Sequence, residues 1–201
     1  FTGRYFSDHR VGFTYPWNRT LPKEEFAESY PARLRAAGYR TGFVGKVGIR
    51  LEQSNQTATE HFDYFVQGNR VVVPRDDPGL KHIYRPDRPR EERTLKKGDA
   101  MIRFLETQPE GQPFCLSISF DAVKNDRDSQ MYTPHVELFN EKPMWVPENY
   151  VEGKNEKLPK VLDTWRGVGL HRHFTGTPEG QQTLTRRFAV QGYTVYHQVG
   201  R

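Results

Sequence analysis

Gly38-Tyr39-Arg40-Thr41-Gly42-Phe43-Val44-Gly45-Lys46 is the stretch on which the fold turns. A helical pattern runs into Gly38, a residue suited to a left-handed helix C-cap. A short β-rich run follows and predicts a strand from about Tyr39 to Val44. Gly45-Lys46 then stands at the strand's C-terminal end, the edge at which open α/β sheets bind ligands. Gly45 lets the backbone bend or approach another chain closely. Lys46 supplies a compact charge with three donors, which suits a sulfuryl or phosphoryl oxygen whose charge grows in a transition state. The plainer reading is a solvated lysine at a strand end. Only the glycines at 42 and 45 precede the lysine, so the segment is not a phosphate-binding P-loop.

Upstream, Pro22 to Gly38 reads as helix in two pieces, with Phe26, Tyr30 and Leu34 repeating every four residues. Pro31 cannot donate an interior hydrogen bond, so the second piece starts there, capped by Ser29 or Tyr30. Downstream, Phe62 to Val66 is a second short apolar run. Residues 66–93, rich in proline and charge, read as a long loop apart from Val71 to Val73. Thr94 to Glu106 predicts an amphipathic helix with Leu95, Met101, Ile102 and Leu105 on one side. A loop from Gln108 to Pro113 leads to a strand over Phe114 to Phe120. Residues 121–176 predict no element. From Thr177, a cap candidate, and Pro178 at the first helical position, a helix runs on with Leu184, Phe188, Val195 and Val199 at helical spacing. Helices alternating with short strands predict an α/β fold with a largely parallel sheet. The chain opens with Phe1, and its last helix meets no capping signal before Arg201, so both ends read as truncations.

The 201 residues suffice for one domain with a real core. A hydrophobic share of 35% and a mean hydropathy of −0.84 put the polar surplus in long loops or on covered faces. Aromatic residues at 13%, clustered in periodic segments, exclude a disordered composition. The net charge of +5 reads as a basic surface or an anion-handling one. Lys and Arg are scattered, and the densest run, Arg85 to Arg93, is broken by Pro86, Pro89 and acids, which argues against nucleic acid. The single cysteine, Cys115, rules out an intrachain disulfide and reads as a packed thiol in an apolar strand. No stretch is apolar enough to span a membrane. His171 and His173 lack a third metal ligand nearby and read as surface histidines. Asp121, Asp126 and Asp128 lack the glycine and closing glutamate of a calcium loop and read as a polar loop.

The segment Gly38 to Lys46 resembles the second signature of the sulfatase family, Gly-Tyr-x-Thr-x-x-(small or Val)-Gly-Lys. Further matches follow in order. Phe1-Thr2-Gly3-Arg4-Tyr5 resembles the tail of the first signature, and His61-Phe62-Asp63-Tyr64-Phe65 the family's Gly-Phe-Asp-Tyr-Phe. Phe104-Leu105, Gln112 to Phe120 and Val199-Gly200-Arg201 resemble its later helix, strand and Val-Gly-Arg. The resemblance implies a partial sulfatase catalytic domain over residues 1–201, part of an alkaline-phosphatase-like three-layer α/β/α fold. It implies hydrolysis of sulfate esters by a formylglycine nucleophile assisted by calcium, with a periplasmic, secreted or lysosomal location. The nucleophile and the calcium ligands would lie outside this chain, so the piece alone is expected to be inactive. The partner implied is a sulfated small molecule or carbohydrate.

Lys46 carries over as the sulfate-binding, transition-state-stabilising residue. Val47 and Gly48 stand where many members have an aromatic residue and a histidine. The family's Ser-Phe-x-Ala-Pro-His is here Ser119-Phe120-Asp121-Ala122-Val123-Lys124. Lys124 thus occupies the place of a substrate-contacting histidine and can bring charge to a sulfate. His135, in Pro134-His135, is a second candidate substrate contact if an insertion precedes it. Two other readings stay open: a phosphoester or phosphonate hydrolase of the same fold, and a non-catalytic basic binding module that has lost its histidines.

Overall fold

The computed structural model describes residues 2–5, 8, 10–11, 19–124, 131–148, 150 and 177–201. His171, His173, Asp126 and Asp128 lie outside the described residues. The chain divides into two compact units, Phe1–Pro89 with Arg93–Asp121 and Arg201 in the first, and Arg90–Glu92 with Ala122–Gly200 in the second.

The first unit is built on the strand that follows Gly38. Helix α1 (Lys23–Ala27) and helix α2 (Tyr30–Ala36) lead into β1 (Arg40–Gly45). Ser29 is the N-cap of α2, and Gly38 takes a φ of +88° beyond its end. Helix α3 (Ser54–His61) precedes β2 (Tyr64–Gln67), which turns directly into β3 (Arg70–Val73). Helix α4 (Pro78–Ile83) and helix α5 (Arg93–Glu106) then lead to β4 (Phe114–Ser119). The sheet has the order β3-β2-β1-β4. β1 is parallel to β2 and β4, while the β2–β3 pair is antiparallel. The mostly parallel sheet of an α/β fold is therefore present.

Alternate residues along the strands feed two cores. Phe43, Phe65 and Val72 pack with Phe26, Ala58 and Phe62. Val44, Tyr64 and Val66 pack with Leu80, Ile83, Ala100 and Phe104. Because side chains alternate along a strand, helices cover both faces of the sheet. Five consecutive buried residues, Thr41 to Gly45, follow from that double cover.

Three expectations for these elements are corrected. Residues 66–93 are not one loop: α4 lies within them, because the Asp77 carboxylate accepts the Leu80 N–H at 2.9 Å and Pro78 opens the helix. Residues 121–176 are not wholly without elements, since a short helix occurs in the second unit. The α5 face is also different. Its buried side is Thr94, Lys97, Ala100 and Phe104, whereas Leu105 is exposed. Small Ala100 lets the helix approach until the Tyr64 hydroxyl donates to its carbonyl at 2.6 Å, and Phe104 lies over Gly42, where a Cβ would meet its ring at 2.8 Å. Close approach, not apolar bulk, chooses the face.

In the second unit, helix α6 (Thr133–Glu137) packs with helix α7 (Pro178–Val199). Thr177 caps α7 by accepting the Gly180 N–H at 3.1 Å. Its buried residues are Val190, Gln191, Thr194 and Gln198, while Phe188 and Val199 are exposed, so the apolar repeat seen in the sequence is not the buried stripe.

Candidate functional site

β1 and β4 run parallel with Gly45 opposite Ser119, so both end at one edge of the sheet. Gly45 has a φ of +125°, and a Cβ there would sit 1.9 Å from the Ser119 carbonyl oxygen. Only glycine fits so tight a crossing. The crossing is closed by the Lys46 N–H, which donates to the Ser119 carbonyl at 3.2 Å. Lys46 thus leaves the sheet at a backbone position fixed from both sides. Its side chain is exposed, and among the described residues no hydrogen bond or ion pair engages its ammonium.

Two residues beyond Ser119 stands Asp121, which was read from the sequence as part of a polar loop. It does lie outside the strand, and its carboxylate pairs with the Lys97 ammonium. Lys97 projects from α5, and its side chain is 1% exposed, against 19% for Asp121. α5 is anchored at its other end by Arg40, whose guanidinium donates to the Phe104 carbonyl at 2.8 Å and to Thr107 Oγ1 at 2.9 Å. Burial pushes the Lys97 ammonium below its ordinary value, the Asp121 hydrogen bond and charge pull it back, and Arg93 and Lys46 push it down again. The net result is a cationic edge of the sheet with one exposed ammonium and one buried, neutralised one.

Sequence reasoning missed Lys97 and its pairing with Asp121. The available signal was spacing: Lys97 precedes Ala100 by three and Phe104 by seven residues, the row of a single helix face.

Lys124 and His135 belong to the second unit, and α7 holds both. The Lys124 N–H donates to Gln191 Oε1 at 2.8 Å, and Gln191 Nε2 donates back to the Lys124 carbonyl at 2.9 Å. Its side chain is exposed. His135 is buried, edge-on to Tyr132 and Tyr193, with the His197 ring centroid at 5.3 Å. The Thr194 hydroxyl donates its one proton to the Val190 carbonyl at 2.8 Å, so it accepts from His135 Nδ1, also at 2.8 Å. The neutral ring therefore carries its proton on Nδ1 and leaves Nε2 basic. Burial, with His197 adding to it, holds this imidazole below its ordinary value.

Among the described residues, no three His, Cys, Asp or Glu side chains come together in a way that holds a metal ion. Asp121, the carboxylate that follows β4 at this edge, is committed to Lys97. Among the described residues, no calcium site is assembled. A cavity of about 500 Å³ in the first unit has Thr2, Gly3, Arg4, Glu28, Tyr30 and Arg33 in its described lining, and none of the cationic edge. Among the described residues, no helix is long and apolar enough to cross a membrane.

No curated protein matches the chain. The Sulfatase family model matches residues 1–157, a span that includes β1, Lys46, α5, β4 and Asp121. With that match over most of its length and the glycine-lysine edge in place, the chain belongs to the sulfatase family.

Proposed function

We propose that the intact protein hydrolyses sulfate esters, with Lys46 neutralising the sulfuryl oxygens as charge moves onto them. The observation that carries this reading is the exposed Lys46 ammonium, without a partner among the described residues, on a backbone locked between Gly45 and Ser119. A charge held in place before the substrate arrives costs no reorganisation when the transition state forms. The formylglycine nucleophile and calcium of the family would supply attack and Lewis-acid polarisation when present. This chain's own part is to bind and orient the anion. Lys124 and His135 are retained as substrate contacts on their own unit, Lys124 as a point charge and His135 through a basic Nε2. A sulfated sugar or an aryl sulfate fits the reading, and a periplasmic, secreted or lysosomal setting goes with it.

The test is turnover by the intact protein of matched chromogenic esters, an aryl sulfate and the same aryl phosphate. A kcat/KM favouring the sulfate supports the proposal. Preference for the phosphate would move the protein to the phosphoester reading, and turnover of neither ester would favour a binding module.

A further inference from the structure

The Lys97–Asp121 pair poses a question that stability does not answer. Taking an ammonium and a carboxylate out of water costs several kcal/mol per ion, and well-packed apolar residues in place of a buried pair are often neutral or stabilising. A pair in which Lys97 is 1% exposed is therefore poorly explained by packing. Its position offers another explanation. Asp121 follows β4 at the same edge from which Lys46 leaves β1. An uncommitted carboxylate there is a ready counter-ion for Lys46 and a repulsive neighbour for any anion. As folded, the Asp121 carboxylate is bonded to Lys97, and no ion pair joins it to Lys46.

We propose that Lys97 is a positioning residue that sequesters the Asp121 carboxylate and so keeps Lys46 open to an oxyanion. This rests on the reading of Lys46 as the sulfate-binding residue. Lys97 itself is too buried to touch the ligand. It acts through Asp121, cancelling a negative charge at the rim and removing the internal competitor for Lys46. The ligand class is a tetrahedral oxyanion or its ester, sulfate being the probe.

The discriminating experiment is a double-mutant cycle on the intact protein, reading inorganic sulfate affinity by calorimetry and turnover separately. Lys97→Met keeps the aliphatic stem, removes the ammonium and releases Asp121. Sulfate affinity is expected to fall by about tenfold or more. Adding Asp121→Asn to that variant removes the competing carboxylate, and affinity is expected to return to within about threefold of the wild type. Asp121→Asn alone, which leaves Lys97 its hydrogen-bond acceptor, is expected to bind sulfate as well as the wild type or more tightly. It also decides the matter should Lys97→Met not fold. A double variant as weak as Lys97→Met, or a tenfold loss in Asp121→Asn alone, would overturn the inference. So would equal affinity in all four proteins, or no sulfate binding by the wild type. Sulfate binding that follows the cycle without any ester turnover would support this inference and contradict the hydrolytic reading, so the two failures are distinguishable.

Discussion

Gly45 and Lys46 owe their arrangement to the absence of one carbon atom. With a φ of +125° and the Ser119 carbonyl 1.9 Å from where a Cβ would stand, Gly45 accepts no side chain unless β1 or β4 moves. Gly45→Ala is expected to destabilise the protein by more than about 3 kcal/mol, combining a disfavoured backbone region with a backbone clash. Denaturant titration checks this, and a loss below about 1 kcal/mol would show that the crossing is not tight. The tight crossing was legible in the sequence because a glycine at a strand end allows the close backbone approach that a side chain would block. Lys97 and Asp121 were not legible. A lysine in a helix and an aspartate in a loop are written the same way whether solvated or buried against each other, and only tertiary contact separates the cases.

At the scale of elements, α5 shows where periodicity succeeds and where it misleads. Its bounds, Arg93–Glu106, fall within a residue of the predicted helix, while its buried face does not match the row of largest apolar side chains. Phe104 is fully buried beneath β1 and edge-on to Tyr64 at 5.3 Å, whereas Leu105 is exposed. Phe104→Ala is expected to cost about 3–5 kcal/mol, and Leu105→Ala less than about 1 kcal/mol. Thermal or chemical unfolding of the pair reverses that order if the apolar row is the packed one. β1, β4 and the start of α7 were readable from glycine and proline punctuation. α4 was not, because proline and charge density masked an Asp77-Pro78 cap that Arg103 clamps with contacts at 3.1–3.2 Å.

For the molecule as a whole, several titratable groups share one sign. His61 is held below its ordinary value of 6.5, chiefly by burial, with Arg35 adding to this and Glu60 opposing it. His135 is held below the same value by burial and by His197. Burial alone would raise Asp77, but hydrogen bonds from the Leu80 N–H and Arg103 bring its carboxyl below the ordinary 3.8. In each case the unfolded chain binds protons that the folded chain resists. Stability is therefore present above the ordinary value and is lost as pH falls toward the folded one. Unfolding free energy is expected to decline on acidification below about pH 6.5 and again below about pH 4. His135→Gln should flatten part of the first decline, and a stability that rises on acidification through this range would contradict the assignments. The α/β class was readable from order and spacing, whereas the burial behind these shifts exists only once the chain is folded. The central claim, that the exposed ammonium after β1 stabilises a sulfuryl transition state, is tested most directly by kcat/KM for an aryl sulfate in the intact protein and its Lys46→Ala variant. The account predicts a fall of about 30- to 1,000-fold, equivalent to about 2–4 kcal/mol of transition-state stabilisation. A rate within about threefold of the wild type would contradict it.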